Sequence, residues 1–244
     1  MVPAWLHLLS IFALVLGVAT AGVSITDEIR HPQRMWIMNV VWPVAALFGT
    51  ALMTWAYFRY GRLATTGSAK NAKSGDREPS RKIEMPFAVM VGKGTLHCGS
   101  GCTLGDICAE WLAFAFPSIA VWFGWHVLFA EKMFAVWMLD YIFAFVIGIA
   151  FQYFTIVPMR HLRMPEGVWA AIKADALSLT AWQIGMYGFM AFANFFIFHH
   201  VLGVRLQVDS FEFWFIMQIA MLCGFLTSYP VNWRLLRSGI KEIM

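Results

Sequence analysis

FAVWMLDYIFAFVIGIAFQYFTIV, residues 134–157, decides the fold class. It is 24 residues long and contains one charged side chain, Asp140. At about 1.5 Å per residue, such a helix reaches about 36 Å, enough to cross roughly 30 Å of hydrocarbon. Working outward, similar apolar runs occupy residues 3–25, 35–58, 177–202 and 211–229. The run over 85–130 is interrupted, because Gly92, Lys93, Gly94, His97, Gly99, Gly101 and Gly105 fall in its first half. Apolar character is clean from 107 to 130, so the third segment reads as a loop or broken helix feeding a long span. The pattern predicts an all-α, polytopic transmembrane bundle of about six spans forming a single domain over 1–244. Residues 3–25 read as a retained helix, because no Lys or Arg precedes them as in a cleaved leader.

Composition agrees. The chain is 60% hydrophobic and 13% charged, where a soluble domain carries about a quarter charged residues. So few charges do not cover a water-facing surface, and lipid is the expected solvent. The 12 Trp and 22 Phe suit bilayer interfaces and helix packing. The one long hydrophilic stretch, 59–84, reads as a flexible basic cytoplasmic loop. With six spans and the amino end inside, only Arg30, Arg34, Lys132 and Arg205 of the 18 basic residues fall outside. That asymmetry places both termini in the cytoplasm of a plasma (inner) membrane protein. It also accounts for the net charge of +4 without nucleic acid as a partner.

The four cysteines, Cys98, Cys102, Cys108 and Cys223, all lie in or beside apolar segments, unlike a secreted disulfide framework. Chemistry concentrates at His97, Cys98 and Cys102, followed by Asp106 and Glu110. In a helix the last four recur every four residues along one face. Two thiols and an imidazole suit copper or zinc, whereas the carboxylates suit harder ions or protons. A bend at Gly99-Ser100-Gly101 would bring His97, Cys98 and Cys102 together. Packing is the competing reading, because cysteine and glycine also allow close helix contact. Acids within a span are costly and mark functional cavities. Asp175, Gln183 and Gln218 extend the set as a polar pathway, while Asp140 reads as near the outer end, where water reaches it. Pro230 and Asn232 are expected to end the last span.

Four stretches carry a family resemblance: MNVVWP (38–43) with YFRYG (57–61); LHCGSGCTLGD (96–106); KADALSLTAW (173–182); and MQIAM (217–221) leading to TSYPVNW (227–233) and GIKE (239–242). The chain resembles the bacterial membrane family called domain of unknown function 4396. The resemblance implies a membrane fold and marks residues, but supplies no reaction. The leading expectation is an intramembrane copper-binding protein, for metal handling or within a membrane oxidoreductase assembly. The alternatives are a proton- or cation-coupled permease using Asp106, Glu110 and Asp175, or a structural subunit of a larger membrane complex.

Overall fold

In lipid a backbone must satisfy its own polar groups, so long apolar runs become helices. The computed structural model describes residues 2–65 and 85–241, and every regular element among them is helical. In chain order they are α1 (Ala4–Arg30), α2 (Met38–Ala56), α3 (Phe87–Ala115), the short α4 (Ser118–Trp122), α5 (Lys132–Arg160), α6 (Met164–Ala191) and α7 (Phe211–Arg237). α2 runs on as wide and tight turns over Tyr57–Gly61 and Arg62–Ala64, and α6 as a π-helix over Phe192–Val201. The start of the expected 59–84 loop is therefore helical, and the rest of it lies outside the described residues. Among the described residues five segments are long and apolar enough to cross a membrane: Ala4–Arg30, Met38–Ala64, Lys132–Arg160, Met164–Val201 and Phe211–Arg237.

The second of these doubles back. Thr50 has φ 45° and ψ −129°, a non-helical conformation inside α2. In a straight helix Trp42 and Tyr57 would stand about 22 Å apart, yet their rings meet edge to face at 5.7 Å. Gln33 pairs with Thr65 as an isolated antiparallel bridge, and Arg34 N–H donates to Ala64 O at 3.1 Å. Both ends of the segment thus lie beside the carboxyl end of α1, and Thr50 is the tip of a re-entrant hairpin. Side chains from α1 and α7 serve the carbonyls near this tip. Gln218 Nε2 donates to Leu47 O at 2.6 Å, and Thr20 Oγ1 lies 3.4 Å from Ala46 O. At the base, Asp27 of α1 accepts from Tyr57 Oη at 2.7 Å and pairs with Arg62 at 3.1 Å.

α3 is the axis of the bundle. It has 29 residues, about 43 Å of helix, but it is too polar to count among the apolar spans. The other helices shield it: every residue from Lys93 to Thr103 is buried. Its glycines do not bend it. Gly101 and Gly105 face Ala144 and Gly148 of α5, spaced by four in both helices. A methyl group on Gly101 would sit 2.8 Å from the Gly148 Cα, and one on Gly105 would press on the Ala144 backbone. This is the small-residue contact that lets membrane helices approach closely. The broken third segment expected from the sequence is therefore one continuous helix. It stops at Ala115, because Pro117 follows, and 116–131 form a compact turn region with Gly124 and His126 at positive φ.

α7 also continues where a break was expected, through Pro230 and Asn232 to Arg237. Contacts order the two ends of the bundle. At one end, His7 of α1 meets Glu212 of α7 at 2.7 Å, and Lys132 Nζ reaches Ala113 O at 3.1 Å. At the other, Lys241 Nζ lies 3.3 Å from Gly94 O, and the Arg237 guanidinium sits over Phe87 at 5.8 Å. Because the hairpin returns to its own side, the amino and carboxyl ends of the described chain lie at opposite ends of the bundle. Same-side termini would require the second segment to cross straight through, and the Thr50 reversal prevents that.

This arrangement predicts the behaviour of terminal reporters. In sealed vesicles, tags fused to the two termini will be accessible from opposite sides. Protection of both tags from the same side would contradict the hairpin.

Candidate functional site

Cys98, Cys102, Asp106 and Glu110 recur every four residues along α3 and point into the bundle. All four are buried. Cys98 and Cys102 lie within hydrogen-bond reach of each other. Asp106 accepts at Oδ1 from Gln183 Nε2 of α6 at 3.0 Å, and its Oδ2 has no partner among the described residues. Asp140 of α5 joins this group. It is fully buried, and neither oxygen has a partner among the described residues. Contrary to the expectation from the sequence, water does not reach it: α3 and α5 approach so closely that the carboxyl is sealed between helices. Tyr187 of α6 stacks on Trp137 and donates to Trp137 O at 2.9 Å.

Glu110 opens the stripe to a cavity of about 350 Å³ at the end that holds Lys132, with Asn194, His199 and Arg205 among its lining residues. From Cys98 the stripe runs the other way. Ser178 Oγ of α6 donates to Cys98 Sγ at 3.1 Å, and Asn232 Nδ2 of α7 donates to Ser178 Oγ at 2.6 Å. Lys241 closes the series. Its three donors reach Asp175 Oδ1 at 3.0 Å, Asn232 Oδ1 at 2.8 Å and Gly94 O at 3.3 Å. Both Lys241 and Asp175 have fully buried side chains. Burial alone would push the Lys241 ammonium towards neutrality. The Asp175 carboxylate, and then Cys98, outweigh it and hold the pKa above the ordinary lysine value.

His97 takes another direction. The helix passes straight through 97–102, so the imidazole sits about 100° around from Cys98. Thr155 Oγ1 of α5 donates to Phe151 O at 3.1 Å and takes a hydrogen bond from His97 Nε2 at 3.0 Å. That assigns the proton to Nε2 and leaves Nδ1 without a partner. The bend expected to gather His97, Cys98 and Cys102 does not form. Among the described residues no three His, Cys, Asp or Glu side chains are grouped so as to hold a metal ion. Gln218 is apart from the column, at the hairpin tip. Lys241, the partner of Asp175, and Ser178, Ser228 and Asn232, which link it to Cys98, were not expected from the sequence. The four-residue spacing of Ser228 and Asn232 was a signal, obscured by reading Pro230 as a helix end.

The sequence model of one family, described as a domain of unknown function (DUF4396), matches residues 89–241. The chain belongs to that family. No curated protein and no solved structure matches it. The DUF4396 match begins near the start of α3 and ends on Lys241. It contains every member of the polar column, whereas α1 and the hairpin lie outside it.

The Asp175–Lys241 pair has a thermodynamic signature. Removing one partner strands a buried charge, which costs roughly 3–5 kcal/mol, while replacing both by apolar groups costs far less. Lys241→Met is expected to lower the thermal unfolding midpoint in detergent strongly, and Lys241→Met with Asp175→Leu to recover most of the loss. Because the lysine pKa is raised on folding, the pair's contribution is complete below about 10.5 and fades as pH rises through the folded value. Additive single and double variants would disprove the coupling.

Proposed function

We propose that this protein moves protons across the membrane through the column on α3, as a proton-coupled permease. One observation carries the reading. Glu110, Asp106, Cys102 and Cys98 form a buried stripe that continues through Ser178 and Asn232 to Asp175 and Lys241, nearly from end to end of the bundle. Acids at membrane depth mark ion or proton pathways. Here the orphan oxygens of Asp106, Asp140 and Asp175 offer places where a proton or a water can bind. The charge of Lys241, fixed by its pairing with Asp175, disfavours a bare metal cation at that end. The cavity at Glu110 has the volume and mixed charge to take a small polar solute.

The basic residues support an orientation. Arg30, Arg34, Arg62, Arg160, Arg163, Arg234 and Arg237 belong to the end that holds Lys241, against Lys132 and Arg205 at the other. The orientation rule for basic residues then puts the Lys241 end in the cytoplasm and the Glu110 cavity outside, in a plasma membrane of the bacterial kind.

Proteoliposomes with a trapped pH dye and an imposed potassium diffusion potential test the function. Wild type will acidify the lumen, and Asp106→Asn and Asp140→Asn will reduce the rate to that of empty liposomes while staying folded. Equal flux in wild type and both variants would end the proposal. Copper handling is the second reading, favoured by the adjacent thiols of Cys98 and Cys102, which suit a soft ion. It predicts stoichiometric metal in protein purified without chelator and its loss in Cys98→Ser/Cys102→Ser. Metal-free wild type after loading with Cu(I) would remove it.

A further inference from the structure

A second cavity, of about 400 Å³, lies at the base of the hairpin, at the opposite end of the bundle from the Glu110 cavity. Lys93 of α3 lines it, though only 6% of the residue is exposed. No hydrogen bond or counter-ion meets its ammonium among the described residues. Gln33 lines it too, 5% exposed, and its Nε2 donor has no partner among the described residues. The Gln33 backbone is fixed on both sides, by Asn39 Oδ1 at 2.9 Å and by the bridge to Thr65. Arg34 follows at the rim. Three residues that carry donors, two of them positively charged and two almost wholly buried, thus line one cavity. A cation and a buried amide donor on one cavity wall favour an anionic ligand, which would satisfy both.

Apart from Thr65, the rest of the lining is apolar: Met35, Leu63 and Met159 among others. The site therefore joins a cationic floor to hydrophobic walls at the end of the bundle. We infer that the hairpin base binds a phosphate group, held by Lys93, Gln33 and Arg34, and that the phosphate belongs to the headgroup of an anionic lipid whose chains follow the apolar wall. Basic pockets between membrane helices on the cytoplasmic side take such headgroups. Free phosphate offers the same chemistry to the donors but leaves the apolar wall bare. Bound lipid would tie α1, the hairpin and α3 together where they meet. The inference does not depend on the proton reading, because none of its three donors is part of the column.

The test compares the full chain in nanodiscs of phosphatidylcholine alone, of phosphatidylcholine with phosphatidylglycerol, and of phosphatidylcholine with added inorganic phosphate. Thermal unfolding and native mass spectrometry give the readouts. Phosphatidylglycerol will raise the unfolding midpoint and stay bound through detergent exchange in wild type and in Lys93→Arg, and both effects will be lost in Lys93→Met and weakened in Gln33→Leu. Inorganic phosphate alone will not shift the midpoint. A shift with inorganic phosphate, absent in Lys93→Met, would overturn the lipid as the source while leaving the phosphate site. Identical stabilisation of wild type and Lys93→Met by phosphatidylglycerol, or none in either, would overturn the site. Lys93→Met removes only an uncompensated charge, so it should be no less stable than wild type in pure phosphatidylcholine; if it fails to fold, Lys93→Arg and Gln33→Leu decide by the same readouts.

Discussion

Polar groups held at membrane depth have no water to fall back on, and that constraint organises this structure. α3 carries His97, two thiols, Asp106 and Glu110 through the bundle, and no lipid-facing helix could tolerate them. The surrounding helices answer with matched groups: Thr155 from α5, Ser178 and Gln183 from α6, Asn232 from α7, and Lys241 from beyond α7. The contact of Gly101 and Gly105 with Ala144 and Gly148 brings α5 close enough to seal the column. Packing and polarity therefore depend on one another. A larger residue at either glycine would open the seal as well as disturb the contact.

The hairpin obeys the same constraint. A reversal at Thr50 breaks the regular ladder inside the bundle, where free carbonyls are expensive. Gln218 and Thr20 supply donors next to the break, and Asp27 anchors the base through Tyr57 and Arg62. One consequence is topological. An apolar run long enough to span returns to the end of the bundle where it began.

Helix class and the buried stripe were legible in the sequence. Long apolar runs leave little choice of structure in lipid, and a four-residue recurrence of Cys98, Cys102, Asp106 and Glu110 is itself a statement about one helical face. Continuity was not legible. The glycines of α3 look like breaks locally, because their value lies in a partner helix that the local sequence does not display. Pro230 misleads in the same way, since a membrane helix tolerates it when neighbours satisfy the backbone. The Thr50 reversal has no local signature, because hydropathy reports an apolar residue's environment and not the direction of the chain. Asp140 gains its meaning from burial between two helices, and Lys241 from a contact across 66 residues of sequence, to Asp175.

The central claim is that the acids of the column are proton carriers sealed inside the protein. Infrared difference spectroscopy across a pH titration in lipid tests it most directly, through the carboxylic-acid C=O stretch. The account predicts protonated-carboxyl bands at frequencies typical of a dry environment, titrating with pH and diminished in Asp106→Asn and Asp140→Asn. Bands of water-exposed carboxylates only, unchanged by either substitution, would contradict it.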